Sequence, residues 1–514
     1  MKTRTALDLA GPRWRRIPRM ILQRPVDWIL RLVGPRYRVF FWIITRAPAK
    51  SLARLGRWRA VRAREHAIRR VPAYSAFLSG QAYPTGAKPF TAPYTDKDNY
   101  VRAFSTEARC VGGELMFDDA AIDESSGSSG TPYNWVRSLQ ERQASHIFIS
   151  HFARYCFGDA PWITINAFSM GAWATGLNMG IALQRNSLVK STGPDLGKIF
   201  STLDFFGPDH TYLVCGYPPF LKLMIDEAAK TGFPLDKYHL MALVGGEGMS
   251  EGLRDYLTPT FAPVFSGYGA TDLEIGIAGE TPIAVAVRRA ARTNEGFRRA
   301  VFGADSRLPM VFQYNPLQHH ITTTEDDELV FTISRLELLS PRIMYNVHDE
   351  GGVATFSEMM AKAEASGLRL REQPQLAGRL PQLPFVWVYG RSDSTVSVMG
   401  ANVYPEDIEE SLYAEPDLAR LTRSYCLGMH ENPDGGWRVL LSFEIEGDIT
   451  DQLRTTFAER ITARLEALNK DFREAMKEHP EGAIPLVELH PLSTGPFAAD
   501  SGKIKQRRTT GPIR

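Results

Sequence analysis

A chain of 514 residues is long enough for a large catalytic body with a smaller second unit. With 44% hydrophobic and 23% charged residues it has the balance of a soluble globular enzyme. No run of eighteen apolar residues is present to span a membrane, and the four cysteines show no CxxC pairing, which excludes a disulfide framework or a structural zinc site.

The small net charge of +2 conceals an asymmetry. Residues 1–70 hold 19 Lys or Arg against three acids, or +16, which leaves −14 for the remaining 444 residues. Trp14, Trp28, Phe40, Phe41 and Trp42 are interleaved with those bases. That composition suits either a set of amphipathic helices docked on an acidic body or a contact with an anionic membrane surface or nucleic acid. The start of the chain has no apolar core followed by a small-residue cleavage site, and isolated thiols suit a reducing compartment. The expected location is therefore cytoplasmic, with membrane association through residues 1–70 left open.

Residues 1–70 are expected to be a basic helical extension, with breaks at Gly34-Pro35 and Ala47-Pro48. From Phe90 onward short apolar runs alternate with helix-like segments and glycine-rich turns. The runs Trp162–Asn166, Tyr212–Cys215 and Leu240–Val244 point to an α/β fold: a large domain of mixed sheets flanked by helices, over residues 71–390. Proline gathers at 373–384, just before the run Val386–Gly390. The pattern then changes to a hairpin at Thr395–Tyr404, a helix from Pro405, strands at Arg423–His430 and Trp437–Ile445, one long helix from Asp451 to about His479, and a last strand at Leu486–Leu489. Residues 391–514 are accordingly expected to form a small α+β domain, joined to the large one by a hinge.

The densest chemical signal is Ser125-Ser126-Gly127-Ser128-Ser129-Gly130-Thr131-Pro132. Small residues let backbone N–H groups turn toward a phosphate and the hydroxyls add donors, although the GK[ST] ending of a Walker loop is missing. Gly245-Gly246-Glu247 follows one apolar run and Gly267-Tyr268-Gly269-Ala270-Thr271-Asp272 follows another, as at strands that end in a ligand crevice. Then come Arg342–Asp349, Gly390-Arg391-Ser392-Asp393, Gly400–Pro405 and finally Ser501-Gly502-Lys503.

In that order these segments resemble the core motifs of the adenylate-forming enzymes: acyl-CoA synthetases, peptide-synthetase adenylation domains and luciferases. Thr95-Asp96-Lys97-Asp98 and the wording of Gly400–Pro405 are most similar to the phenylacetate–CoA ligase branch. The resemblance runs from about residue 70 to the end and implies ATP-dependent activation of a carboxylic acid to an acyl-adenylate. Transfer to coenzyme A would follow, or else to a carrier-protein thiol or an amine; a ligase specialised for one half-reaction is the other alternative. It implies that Ser126, Gly127, Ser128, Ser129, Gly130 and Thr131 hold the ATP phosphates. Gly245, Gly246, Glu247, Gly269 and Ala270 would line the nucleotide pocket, with Tyr268 stacked on adenine and Thr271 at the α-phosphate. Asp349 would grip the ribose hydroxyls, a bidentate role suited to a carboxylate. Arg391 would also reach the nucleotide, Asp393 would be the hinge, and Lys503 the adenylation lysine. Mg²⁺ would be held near Asp272, and no nucleic-acid partner is implied.

The acid would lie among Asn166, Phe168, Ala172, Trp173, Tyr217 and Gly267, where aromatic walls favour an aryl or bulky apolar substrate. Four departures from the pattern stand out, one of them Asn346-Val347-His348 in place of the basic and small residues common before the ribose aspartate. Asp272 replaces the usual Glu, with Glu274 as a candidate substitute. Tyr133 stands where relatives carry lysine, and Pro496–Asp500 separates Ser493-Thr494 from Gly502-Lys503.

Overall fold

The computed structural model describes residues 28–84, 90–125, 133–172, 174–305, 307–373, 376, 380–391, 396–398, 401–431, 437–478, 483–500 and 508–510. Residues 28–33 are helical, and helices Tyr37–Arg46, Ala49–Arg70 and Pro72–Gly80 follow, broken at the two X–Pro steps. A residue preceding proline is pushed out of the α region, which accounts for both breaks. Helix Ala49–Arg70 is no appendage. Ala63 and Ala67 enter the main core, Gly56 is packed against the Pro316 carbonyl, and Arg59 donates to the Leu317 carbonyl at 2.9 Å. In packing terms the large body therefore begins by Ala49 rather than at residue 71.

A hairpin of β1 (Ala120–Glu124) and β2 (Asn134–Ser138) leads into helix Leu139–Phe157, capped by the Ser138 hydroxyl. The strands of the main sheet are β3 (Ile163–Asn166), β4 (Leu188–Ser191), β5 (Thr211–Gly216), β6 (His239–Gly245), β7 (Phe261–Ala270) and β8 (Glu274–Gly279), followed by β9 (Met310–Tyr314), β10 (His319–Thr323), β11 (Glu328–Ile333), β12 (Tyr345–Ala354) and β13 (Phe385–Arg391). Their order is β10-β11-β12-β13-β9-β8-β7-β6-β5-β3-β4. From β4 to β7 all pairs are parallel; from β7 to β10 all are antiparallel. Strands β5 and β6 read as unbroken apolar runs because helices cover both their faces.

The antiparallel half curls on itself. Strands β12 and β7 are separated by three others, roughly 19 Å of flat sheet, yet the Tyr268 hydroxyl on β7 donates to Asp349 on β12 at 2.6 Å. Similarly, Glu274 on β8 meets His319 on β10. Strand β7 is held from behind by a buried ion network. Arg254 binds Glu251 at 2.9 Å, Glu280 at 2.5 Å and the Val264 carbonyl at 2.8 Å, while Glu280 also accepts the Ser266 N–H. Burial alone would raise the Glu251 carboxyl, but Arg254 and Arg288 outweigh it and hold the group at about 2.

The second unit contains the β14–β15 hairpin (Val396–Val398, Ala401–Val403), helix Pro405–Tyr413 and a sheet of β16 (Thr422–Glu431), β17 (Trp437–Ile445) and β18 (Leu486–Pro491). It has its own core around Leu427, Leu441, Phe443, Phe457 and Ile461. The single long helix expected from Asp451 is in fact two, Asp451–Leu468 and Lys470–Glu478. Asn469 divides them: its carboxamide caps the second helix through the Phe472 N–H and donates to the Asn402 carbonyl and Asp407. A side chain that bonds neighbouring backbone competes with helix continuation. The unit docks on the large body through two carboxylates of helix Pro405–Tyr413. Glu409 accepts the Ser250 N–H and Glu410 the Gly252 N–H, each at 2.8 Å, at the start of helix Glu251–Leu257.

Candidate active site

Parallel register brings the carboxyl ends of four strands to one edge. Asn166 pairs with Cys215, Cys215 with Leu243, and Gly245 with Gly267. Beyond those ends the chain turns through Ala167–Ala172, Tyr217, Gly246-Glu247 and Thr271-Asp272. The reversal from parallel to antiparallel pairing falls here as well, at β7 and β8. Open α/β sheets bind ligands in such a crevice.

Two tyrosine–carboxylate pairs span it. Tyr268 donates to Asp349, and its ring stacks on Phe312 with centroids 5.7 Å apart. Tyr345 donates to Asp272 Oδ2 at 2.9 Å. Burial first and the facing carboxylate second push both phenols well above their ordinary range, so both remain donors. Tyr345 and Asp349 both lie on β12, either side of His348, whose φ is +60°, in a stretch where the pairing with β11 shifts register. Arg391 ends β13 directly opposite Asp349 in register. The turn carrying Thr271 and Asp272 is clamped from outside: Arg137 donates to the Thr271 and Leu273 carbonyls, and Arg342 to the Asp272 carbonyl at 2.8 Å. Tyr345, Arg137 and Arg342 were not singled out as site residues in the sequence.

Glu274 cannot substitute for Asp272. It is buried, with its oxygens engaged by Arg335, by His319 and by Ser145 Oγ at 2.9 Å. Burial would raise its carboxyl, yet Arg335 and His319 hold it well below the usual carboxylate range. Among the described residues no group of three or more His, Cys, Asp or Glu converges on one point. A single carboxylate at Asp272, completed by phosphate oxygens and water, fits the way Mg²⁺ is held beside nucleotides.

On the other side of the crevice Phe168 and Tyr217 meet edge to face at 5.2 Å, both buried. The Tyr217 hydroxyl is raised by burial and bonded to Ser169. Asn166 is fully buried, and its carboxamide donates to the Gly176 carbonyl at 2.8 Å and to Ser191; it shapes the loop from behind. Ala172 is exposed, and its carbonyl accepts the Glu124 N–H at the end of β1. Two glycines are dictated by contact. A Cβ on Gly245 would lie 2.9 Å from the Gly267 carbonyl oxygen, and one on Gly246 (φ +82°) 2.8 Å from the Tyr217 ring. Gly246→Ala is therefore expected to destabilise the protein by about 1–2 kcal/mol through strain at the positive φ and displacement of the Tyr217 ring. An unchanged melting temperature would refute the contact.

The Ser126–Thr131 loop, Trp173, Asp393 and Lys503 lie outside the described residues. Their anchors do not. Loop 126–132 joins β1 to β2, and its base is closed by Ser125 N–H to the Tyr133 carbonyl and by Tyr133 N–H to Ser125 Oγ at 2.9 Å. Tyr133 turns its hydroxyl toward Arg109.

No family model matches the chain, and no curated protein matches it in sequence. Solved structures do. A 2-hydroxyisobutyryl-CoA ligase in the postadenylation state with 2-HIB-AMP superposes with a TM-score of 0.62 at 13% identity, over 90% of this chain and 89% of that one. The same ligase with 2-HIB-AMP and CoA in the thioesterification state gives 0.53 at 13% identity over 91% of each chain. Its open conformation with both ligands gives 0.52 at 13% identity, over 90% and 91%. At 13% identity the likeness is one of fold: the chain shares the overall fold of that CoA ligase.

Proposed function

We propose that this protein is an AMP-forming acid–thiol ligase. The carrying observation is the pair Tyr268–Asp349 at 2.6 Å beside Tyr345–Asp272, set at the carboxyl ends of the parallel strands in a fold shared with an acyl-CoA ligase. In the first half-reaction a carboxylate oxygen of the acid bonds to the α-phosphorus of ATP, and the bond to pyrophosphate breaks. In the second a thiolate attacks the acyl carbonyl and AMP leaves. Asp349 offers a carboxylate to the ribose hydroxyls, Tyr268 a ring for adenine, and the clamped Thr271 turn a fixed position at the α-phosphate. Mg²⁺, when bound, would offset phosphate charge as the two anions approach. Asp272, oriented by Tyr345, is the residue that would hold it.

Phe168 and Tyr217 favour an aryl or bulky apolar acid. The branch nearest phenylacetate–CoA ligases is the reading supported by Thr95–Asp98 and Gly400–Pro405. Four free thiols, Cys110, Cys156, Cys215 and Cys426, suit a reducing cytoplasm. No described helix is long and apolar enough to cross a membrane.

The test is acid-dependent release of pyrophosphate from ATP across aryl and aliphatic acids, with and without coenzyme A. Pyrophosphate with aryl acids and a matching acyl-CoA product are expected. An adenylate that forms but never reaches coenzyme A would move the acceptor to a carrier thiol or an amine. Silence across the panel would overturn adenylation.

A further inference from the structure

The helices at residues 28–46 carry apolar side chains on two opposite sides. Inward, Tyr37 and Phe40 both pack on His151 at 5.4 Å and Phe41 on Tyr155 at 5.2 Å, fastening helix Tyr37–Arg46 to helix Leu139–Phe157. Outward, Trp28 (64% exposed), Ile29, Leu32, Val39 and Trp42 (56% exposed) face solvent. Five of the eighteen exposed large hydrophobics among the described residues thus fall within fifteen positions. A surface helix ordinarily keeps its outward side polar, so apolar residues on both sides call for a second apolar partner.

Charge indicates which partner. Arg36, Arg38, Arg46, Lys50 and Arg54 are exposed around the outward residues, and Arg46 lies 5.2 Å over the Trp42 ring. Acids of the body do little to neutralise them: between residues 28–70 and the rest of the chain, the ion pair among the described residues is Arg31–Glu337. Residues 1–27 add seven Lys or Arg against two acids, charge of the sign that an anionic surface attracts. Tryptophan within a basic, amphipathic stretch is the composition that settles at a bilayer's headgroup level.

We infer that the face formed by Trp28, Ile29, Leu32, Val39 and Trp42 docks this protein on an anionic lipid bilayer. The body stays in water, and binding is peripheral and reversible. Residues 28–46 contribute nothing to the crevice between β3 and β12, so lipid binding and catalysis are separable.

The test is co-sedimentation of the full chain with vesicles of phosphatidylcholine alone or mixed with phosphatidylserine, at low and high salt. Binding is expected only to the anionic vesicles and should fall as salt rises. Trp28→Ser with Trp42→Ser should weaken partition about tenfold or more. Both side chains face solvent, so the melting temperature and the rate of pyrophosphate release should not change. Arg38→Glu with Arg46→Glu should weaken it as well. A chain left in the supernatant with anionic vesicles overturns the inference, as does binding that the tryptophan variant leaves intact. So does a dimer that the tryptophan variant splits, or retention of RNA without vesicles. Sedimentation with vesicles, melting temperature and oligomeric state are read without the ligase reaction, so failure of the proposed function would leave this inference standing.

Discussion

Lys503→Ala should reduce adenylate formation about 10²- to 10³-fold, the usual cost of removing one group aimed at developing transition-state charge, while transfer from a pre-made adenylate continues. The carboxylate and the α-phosphate are both anionic, and a cation between them is needed only in the first half-reaction. Lys503 itself lies outside the described residues, but both flanks are tied to the small unit. Upstream, Gly495–Asp500 forms a turn, with Phe497 buried and its ring 5.9 Å from His490. Downstream, the Arg508 carbonyl accepts the Leu427 N–H at 2.8 Å and Thr510 donates to the Leu427 carbonyl at 2.9 Å, extending the β16 sheet. Of the extra residues Pro496–Asp500, Phe497 is taken into packing, and the described residues on both flanks belong to the small unit. The check is acid-dependent pyrophosphate exchange beside single-turnover thioester formation from a synthetic adenylate. Equal loss in both would remove Lys503 from the first step.

Asp349→Ala is expected to weaken ATP and AMP binding about 100-fold, or ~3 kcal/mol, as two hydrogen bonds to a charged group are lost. The Tyr268 hydroxyl would also lose its partner. Tyr268→Phe separates the two effects. It keeps the ring on Phe312 and the Asp349 carboxylate in place, so its loss should be several-fold at most. Calorimetric titration with AMP decides. Unchanged affinity in Asp349→Ala would misplace the ribose clamp, and an equal loss in both variants would make Asp349 a positioning residue for the tyrosine alone.

Much of this site was legible in linear order. Glycine clusters after apolar runs marked strand ends, because only residues lacking a Cβ fit where Gly245 meets Gly267 and Gly246 meets Tyr217. The helix breaks at Pro35 and Pro48, and β5, β6, β16 and β17, were visible because proline geometry and continuous apolar burial leave local marks. The break at Asn469 was not. Its capping bond is local, but the bonds to Asn402 and Asp407 that anchor it come from chain more than sixty residues away.

The fate of the carboxylates divides sequence from structure most sharply. Sequence alone determined that Asp272 and Glu274 flank the end of the Tyr268 strand, that bases concentrate in residues 1–70, and that the motifs run in the order of an adenylating enzyme. Only tertiary structure decided which carboxylate is available. The antiparallel half curls until β10 meets β8, and Arg335 and His319 then take Glu274 into the interior, leaving Asp272 at the crevice with Tyr345. The same curl brings Asp349 to Tyr268. It also decided which aromatics of the basic helices point in and which out, because Phe40 and Phe41 found His151 and Tyr155 while Trp28 and Trp42 were left to solvent. A residue's type sets what it can bond; closure of the sheet, a cooperative outcome of many distant contacts, sets what it meets.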